Sequence, residues 1–253
     1  MDWQLYQLIT WIWIAIGIAT FFYLLRVNAP FGRHTRPGWG PTIDNRLGWI
    51  IMEFTLLLTL FGSFYVGAGF QALSAPVALM LSLFAAHYLH RSLIFPWFLR
   101  TKGKRMPLII ALSAMGFNTI NGLLFGYYFS RMAAYPPDWF SDPRFICGLL
   151  LFAIGAWINI RSDYQLIRLR APGDTGYRIP QGGWFNDLSC PNHFGEILEW
   201  TGFALLSWSL PGLAFAIWTF ANLAPRAVAH HRWYREQFPD YPPQRRAVLP
   251  FIW

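Results

Sequence analysis

Long apolar segments are the feature of this 253-residue sequence that most limits how it can fold. An α-helix needs about 20 apolar residues to cross ~30 Å of hydrocarbon, because each residue advances the helix by ~1.5 Å. Five such segments are clear, and a further apolar region is interrupted at Pro211 and Gly212. Proline and glycine favour a tight turn, so we predict that one helix ends shortly before these residues and that another begins at Pro211. The predicted spans are residues 5–25, 48–69, 73–98, 108–130, 145–167, 195–209 and 211–236.

The composition agrees with a protein that crosses the membrane several times. Hydrophobic residues make up 55% of the chain, aromatic residues 19% and charged residues only 13%, unlike an ordinary soluble domain. The start of the chain, MDWQLYQL, lacks a basic region, and no small-residue cleavage site follows the first apolar segment, so we expect this segment to remain as a span. No repeat or flexible linker divides the sequence. We therefore predict an all-α fold of seven transmembrane helices, with ordered cytoplasmic loops, in a single domain over residues 1–253.

The net charge of +8 reflects membrane orientation better than nucleic-acid binding. Basic residues concentrate in alternate connections, as the positive-inside rule requires, and only an odd number of spans fits this alternation. The N-terminus is then expected outside and the C-terminus in the cytoplasm. The basic connections are the loop with Arg33, Arg36 and Arg46, the loop RTKGKRMP, the stretch 168–194 and the C-terminal tail.

Glu53 is an ionisable residue inside the second predicted span, in the sequence WIIMEFTLLLTLF. Placing a carboxylate at the centre of a membrane helix costs ~3 kcal/mol on insertion scales, so such residues usually have a task. One possibility is a carboxyl group that only hydrogen-bonds another helix. The other is a protonated carboxyl that acts on a substrate.

Tyr88 lies near the cytoplasmic end of the third predicted span, in AAHYLHRSLIF. At helical spacing Tyr88 shares a face with Arg91, and His87 shares one with His90 and Arg91. A buried phenol can donate a hydrogen bond to a carbonyl oxygen, and a protonated Glu53 would strengthen that polarisation. Alternatively, this group anchors the helix at the lipid headgroups.

The end of the fifth span carries an unusual concentration of polar and cationic groups. Asn159, Asp163 and Arg170 fall within ~40° of one another at 100° per residue and form one stripe. Asp163 could accept from ribose or carboxamide groups and Arg170 could bind phosphate, or the two could pair with each other to hold the loop. The first reading predicts a site for a phosphate-bearing cofactor.

Polar residues later in the chain could complete such a site. Asn192, Glu196 and Glu199 lie at the start of the sixth span, where acidic side chains also suit a helix N-terminus. Arg226, His230 and Tyr234 recur at a spacing of four on the last helix. In the tail, Arg245 and Arg246 either close a phosphate pocket or simply follow the positive-inside rule.

Common sequence signatures of other sites are absent. The chain has no GxGxxG, Walker, HExxH or GxSxG motif, so a nucleotide site here would not be a Rossmann site. The histidines are scattered, and Cys147 and Cys190 lie in different regions. We therefore predict no metal site and no disulfide framework.

Several ordered motifs resemble those of the membrane steroid 5α-reductases, which are NADPH-dependent 3-oxo-5α-steroid 4-dehydrogenases. The similarity covers most of the chain and is weakest over residues 1–45. Its most specific parts are HYLHR at 87–91, NGLLFGYY at 121–128, INIRSDY at 158–164, YRIPQGGWF at 177–185, GEILEW at 195–200, HHRWY at 230–234 and the ending LPFIW.

The resemblance implies a seven-helix bundle that binds NADPH on its cytoplasmic side and admits a flat, lipophilic enone from the bilayer. Glu53 and Tyr88 match the pair that hydrogen-bonds the 3-keto oxygen in that family. The resemblance also implies that the protein lies in membrane lipid, binds no nucleic acid and requires no protein partner. The positions that match its cofactor-binding residues are Asn159, Asp163, Arg170, Tyr177, Arg178, Asn192, Glu196, His230 and Tyr234, with Lys104, Trp200, Arg226 and Arg245 as further candidates.

The expected substrate pocket has three candidate residues, Met52, Ser113 and Phe117. The first two depart from the family. Met52 stands where vertebrate members have glutamine, and Ser113 where one of them has arginine. A related reductase of polyprenols or enoyl thioesters is therefore an alternative. Two other classes of protein are also alternatives. In a membrane methyltransferase, Arg170 and Arg178 would have no phosphate to bind. In a lipid-binding or transport protein, the basic cytoplasmic stripe would have no explanation.

Overall fold

The computed structural model describes residues 2–28, 34, 38–68, 73–100, 103–169 and 176–250. Within these ranges the chain is mostly helical, which confirms the predicted all-helical class apart from one short pair of strands. The α-helices are α1 (Trp3–Leu24), α2 (Asn45–Ala68), α3 (Ala75–Leu89), α4 (Phe95–Phe98), α5 (Leu108–Arg131), α6 (Pro143–Arg168), α7 (Pro191–Ser207) and α8 (Leu210–Gln237). The strands are β1 (Thr42–Asp44) and β2 (Arg105–Pro107).

Five helical segments of the described chain are long and apolar enough to cross a membrane. They are α1, α2, the segment Ala75–Phe98, α5 and α6, and they coincide with the first five predicted spans. The predicted sixth and seventh spans also correspond to helices, α7 with 17 residues and α8 with 28. The count of seven spans stays a prediction.

The turn between α7 and α8 lies earlier than predicted. Trp208 adopts a left-handed conformation with φ of 42°, and Ser209 Oγ caps the next helix by accepting from the Gly212 N–H at 3.1 Å. Pro211 and Gly212 therefore belong to the first turn of α8 and not to the connection. Proline suits that position because an N–H in the first helical turn has no partner within the helix.

Contacts divide the chain into two compact units, Met1–Gln7 with Ala29–Asp142 and Leu8–Asn28 with Pro143–Trp253. In the first unit, α2 packs against α5 through small residues. A Cβ on Gly126 would lie 2.6 Å from the Leu60 oxygen, and one on Gly122 would lie 2.9 Å from the Leu60 nitrogen. Ser63 Oγ donates to the Gly122 carbonyl at 3.2 Å. Such contacts are typical of membrane helices, where close backbone packing replaces the hydrophobic effect.

The two strands tie together the chain segments that precede α2 and α5. They pair antiparallel, with Thr42 opposite Pro107 and Asp44 opposite Arg105. Arg105 Nε donates to Thr42 Oγ1 at 2.7 Å. Asp44 also starts α2, because its Oδ1 accepts from the Leu47 N–H at 3.0 Å.

In the second unit, α6 and α7 run antiparallel with glycine facing glycine at two levels. A Cβ on Gly155 would lie 2.6 Å from the Gly195 oxygen, and a Cβ on Gly202 would lie 2.6 Å from the Gly148 oxygen. Real Cβ atoms do not approach other atoms this closely, so only glycine permits the observed helix separation. The same unit places Trp218 of α8 with its indole N–H donating to the Trp13 carbonyl at 2.9 Å.

Gly202→Ala should destabilise the protein, because the added methyl group would have to push α6 away from α7. Overpacking of this kind typically costs about 1–3 kcal/mol. The melting temperature of the purified protein in detergent, recorded without ligand, measures the effect. Gly116→Ala is the matched control, since a Cβ at Gly116 in α5 meets nothing within 4 Å. Equal melting temperatures for the two variants would contradict the proposed glycine contact.

Candidate active site

Glu53, the first predicted catalytic residue, is half-buried in the middle of α2. The turn that carries it is held by α5, because Asn118 Nδ2 donates to the Met52 carbonyl at 2.7 Å. Asn118 itself is buried. The hydrogen bond fixes the height of this turn relative to α5, and so limits how far the backbone beneath the carboxyl group can shift.

Tyr88, the second predicted catalytic residue, is buried in the last turn of α3. Its ring stacks on Phe84 with a centroid distance of 5.5 Å, and Phe84 meets the ring of Phe125 edge-on at 4.8 Å. The His87 ring lies 5.0 Å from the tyrosine ring. These aromatic neighbours hold the phenol in one orientation and exclude water from its ring faces.

Immediately after Tyr88 the α-helix widens into a π-helical turn over His90–Ile94. The cause is Pro96, which has no N–H to donate and whose ring would collide with the Ser92 carbonyl in a regular α-helix. Ser92 Oγ in turn donates to the Tyr88 carbonyl at 2.6 Å. The unusual turn therefore borders the residue that is predicted to act on the substrate.

Arg91, in this π turn, is directed into an aromatic environment. Its guanidinium carbon lies 5.2 Å from the Trp49 ring centroid and 4.7 Å from that of Phe95. Such cation–π contacts stabilise a buried arginine. The alternative that this group anchors the helix at the lipid headgroups stays a prediction.

The predicted substrate-pocket residues have different surroundings. Met52 is buried in a small apolar cluster with Met106 and Ala111. Ser113 is exposed on α5, where its hydroxyl donates to the Ile109 carbonyl at 2.7 Å, and Phe117 is half-buried. Their role in substrate selection stays a prediction.

In the second unit, α6 and α7 bring four of the predicted cofactor residues into one hydrogen-bonded cluster. Asn159 Nδ2 donates to the Asn192 carbonyl at 3.0 Å and lies 3.3 Å from Glu196 Oε2. Asn192 Nδ2 donates to Asp163 Oδ1 at 2.9 Å. The cluster forms because Gly195 lets α7 approach the backbone of Asn159. Arg170, the third member of the predicted stripe, lies outside the described residues.

Residues of α8 and of the segment before α7 provide aromatic and imidazole groups. The His230 ring lies 5.8 Å from the His193 ring of α7. Tyr177 meets Trp233 edge-on at 5.0 Å, whereas its neighbour Arg178 is exposed. These rings offer flat surfaces of the kind that bases and nicotinamide groups pack against.

The segment Gly182–Cys190 is connected to the C-terminal tail by main-chain hydrogen bonds. Arg246 donates to the Asp187 carbonyl at 2.8 Å, Ser189 to the Arg246 carbonyl at 2.8 Å and Cys190 to the Ala247 carbonyl at 3.1 Å. These bonds place Arg245 next to the start of α7. Sequence reasoning gave no indication of this pairing, because the two segments are far apart in the chain and too short for a periodic pattern.

Arg245 is buried with only 4% of its surface exposed. Its Nε and Nη1 groups are enclosed and make no hydrogen bond to any residue in the described ranges. A buried guanidinium is costly unless it meets hydrogen-bond acceptors, preferably anionic ones. Arg245 therefore fits an anion such as phosphate.

Two functional candidates were missed by the sequence analysis, Ser189 and Tyr241. Ser189 Oγ lies 2.6 Å from His231 Nδ1 and 2.6 Å from the Tyr241 hydroxyl. Burial raises the pKa of Tyr241, an effect that its hydrogen bonds with Ser189 and Arg245 partly oppose. The only available signal was composition, since Tyr241 lies in a tail rich in aromatic residues and proline.

The remaining predicted cofactor residues have different surroundings. Trp200 is buried among Phe152, Phe203 and Phe215. Lys104 belongs to the first unit. Arg226 is half-buried on α8, and Tyr234 is fully buried there. Among the described residues, no group of three His, Cys, Asp or Glu could hold a metal ion.

Comparison with known proteins gives a consistent result. A family profile described as 3-oxo-5-alpha-steroid 4-dehydrogenase matches residues 104–253. A bovine protein named 3-oxo-5-alpha-steroid 4-dehydrogenase 1 is 45% identical over 94% of this chain and 93% of its own length. The human protein named 3-oxo-5-alpha-steroid 4-dehydrogenase 2 is 42% identical over 94% of this chain and 93% of its own length. An Arabidopsis thaliana protein named steroid 5-alpha-reductase DET2 is 40% identical over 95% of this chain and 94% of its own length.

The similarity extends over nearly the whole length of both this chain and its relatives. It includes the helices that carry Glu53 and Tyr88 as well as those that form the polar cluster around Asp163. The profile match alone covers more than half of the sequence. The chain therefore belongs to the family of 3-oxo-5-alpha-steroid 4-dehydrogenases, the steroid 5-alpha-reductases.

Proposed function

We propose that the protein reduces the C4–C5 double bond of 3-oxo-Δ4 steroids to give 5α-3-oxosteroids, with NADPH as the reductant. The observation that carries this proposal is the 40–45% identity, over more than nine-tenths of the chain, to proteins named for that activity. The buried Tyr88 and the half-buried Glu53 in membrane-type helices support it.

The residues of the second unit fit a phosphate-bearing dinucleotide. Arg245 has buried N–H groups that make no hydrogen bond within the described ranges and suit a phosphate. Asp163 and Glu196 are acceptors for ribose hydroxyls, and Asn159 and Asn192 hold them in place. The full proposed set is Asn159, Asp163, Arg170, Tyr177, Arg178, Asn192, Glu196, Trp200, Arg226, His230, Tyr234 and Arg245, and Lys104 is a further candidate.

NADPH, when bound, would supply a hydride to C5 of the enone, and a proton added to C4 from solvent or through a relay would complete the reduction. Tyr88 and Glu53 act on the other end of the conjugated system by donating hydrogen bonds to the 3-keto oxygen, where negative charge develops. Each donor aimed at that oxygen in a buried site can contribute ~3 kcal/mol to transition-state stabilisation. For Glu53 this role requires the protonated carboxyl.

In the membrane, we propose seven spans, with α7 and α8 as the last two, an external N-terminus and a cytoplasmic C-terminus. The basic connections support this orientation. The cofactor residues then lie on the cytoplasmic side, within reach of soluble NADPH. The steroid, being lipophilic, enters from the bilayer without a protein partner.

A polyprenol or enoyl-thioester reductase is the second candidate. The observation that favours it is the apolar cluster around Met52. At this position next to Glu53, the chain has a buried thioether in place of the amide of the vertebrate members. Incubating the purified protein with NADPH and a panel of enones, and identifying the products, separates the two. Failure to oxidise NADPH with any enone would exclude both.

Tyr88→Phe should lower kcat by about 100-fold, because it removes one hydrogen bond to the developing enolate oxygen and keeps the stacked ring. The KM for NADPH should change less than about twofold, since Tyr88 is not among the proposed cofactor residues. Steady-state kinetics with a Δ4-3-ketosteroid measure both values. Tyr65→Phe, on an exposed tyrosine of α2, is the control and should behave as wild type. A kcat for Tyr88→Phe within about threefold of wild type would show that the tyrosine is not the donor.

Asp163→Asn should weaken NADPH binding by about tenfold or more, because a charged hydrogen-bond acceptor in the polar cluster is lost. The kcat at saturating NADPH should change much less, as the polarising pair is intact. Direct binding by isothermal titration calorimetry, together with kcat, tests this division. Asp138→Asn, on an exposed loop of the first unit, is the matched control. Unchanged NADPH affinity would remove Asp163 from the cofactor site.

A further inference from the structure

We propose that Tyr241 is a positioning residue for Arg245: Ser189 and His231 hold its hydroxyl group, and the tyrosine presents the arginine to a phosphate of the cofactor. The inference rests on the proposed function, because it takes NADPH to be the ligand of Arg245. It assigns a task to three residues, Ser189, His231 and Tyr241, that the family motifs and the substrate chemistry leave without one.

The main chain on the C-terminal side of Arg245 is already fixed. Arg246 and Ala247 form the main-chain hydrogen bonds to the segment Asp187–Cys190, and Arg246 pairs with Leu188 as an isolated parallel bridge. The Arg245 N–H donates to the Pro242 carbonyl at 3.3 Å. With the backbone held in this way, the direction of the long Arg245 side chain is the main conformational freedom that remains.

Tyr241 supplies that restriction. Its ring lies beneath the guanidinium, 5.2 Å from the guanidinium carbon to the ring centroid. The ring is itself clamped, stacked on Tyr234 at 5.2 Å with an angle of 8° between the planes and met edge-on by His231 at 5.9 Å. A flat aromatic surface favours a parallel guanidinium and lowers the entropy that the arginine would lose on binding an anion.

The hydroxyl groups form a chain with one consistent direction. A side-chain hydrogen bond also joins Arg245 and Tyr241. Arginine can only donate hydrogen bonds, so the Tyr241 oxygen must accept from it and use its own O–H to donate to Ser189 Oγ. Ser189 then donates its single O–H to His231 Nδ1, which requires the neutral imidazole with its proton on Nε2. The chain therefore orients the lone pairs of the Tyr241 oxygen towards the arginine.

Arg245, so held, keeps its buried Nε and Nη1 groups without acceptors in the described part of the chain. Guanidinium N–H groups without an acceptor among the described residues suit the anionic oxygens of a phosphate group. The arrangement pre-organises Arg245 for phosphate binding, because both the plane and the direction of the guanidinium are set before the cofactor arrives.

A double-mutant cycle on the full-length protein in detergent tests the inference. The NADPH dissociation constant is measured by calorimetry for wild type, Tyr241→Phe, Arg245→Gln and the double variant, with ligand-free melting temperatures alongside. Tyr241→Phe keeps the ring and removes the hydroxyl, and it should weaken NADPH binding by about tenfold, the scale of one hydrogen bond to a charged group. Arg245→Gln should weaken binding more, and the double variant should bind no more weakly than Arg245→Gln alone, since a positioning residue loses its effect once its target is gone.

Two further variants separate positioning from general stability. Ser189→Ala should reproduce the Tyr241→Phe loss of affinity, and Ser189→Thr, which keeps the hydroxyl, should restore most of it. These variants also decide the matter if Tyr241→Phe lowers the ligand-free melting temperature. Tyr23→Phe, on an exposed tyrosine of the same unit, is the control and should leave NADPH affinity unchanged.

The outcomes distinguish this inference from the proposed function. Additive losses in the cycle, or unchanged affinity in Tyr241→Phe and Ser189→Ala, would overturn the positioning role and leave NADPH as the cofactor. Unchanged affinity in Arg245→Gln would overturn it by removing Arg245 from the site. If wild type bound no NADPH in the same assay, the proposed function would fall and the inference with it.

Discussion

The contact of backbone against backbone between α6 and α7 is the constraint on which the second unit depends. At Gly155 and Gly195 neither helix has a side chain, so the two backbones meet directly. Only at this separation can Asn159 reach both the Asn192 carbonyl and the Glu196 carboxylate. In a bilayer, lipid chains are as apolar as the side chains of the helices, so the hydrophobic effect does not drive the helices together. Dispersion contacts and polar bonds between helices therefore decide the fold.

Hydrogen bonds to backbone carbonyls serve a similar purpose in the first unit. Asn118 binds the Met52 carbonyl and Ser63 binds the Gly122 carbonyl, so that α2 and α5 are locked in one register. The turn that carries Glu53 is part of this lock. The residues proposed to act on substrate and cofactor are thus placed by neighbours that take no part in the chemistry.

The helices could be predicted from the sequence because each long apolar segment has only one way to satisfy its backbone in lipid. The Asn159–Asp163 stripe followed from helical spacing alone. Three features could not be predicted: the β1–β2 pairing, the π turn at His90–Ile94 and the pairing of Ser189 with Arg246. Each depends on residues distant in sequence or on one local steric conflict, and neither produces a periodic pattern. The turn before Pro211 was misplaced because proline disrupts a helix interior but fits its first turn.

The π turn has a consequence for how this chain can vary in length. A π-helical turn accommodates one residue more than the α-helical turn it replaces, so His90–Ile94 resembles an α-helix that has gained a residue. Because the wide turn takes up this extra residue, the helix before it keeps the rotation relative to the helix after it that a regular α-helix one residue shorter would have. Tyr88 therefore keeps its face of the helix, although Pro96 prevents a regular turn at this point. A change of one residue in a regular turn would instead rotate the phenol by ~100° relative to everything that follows it.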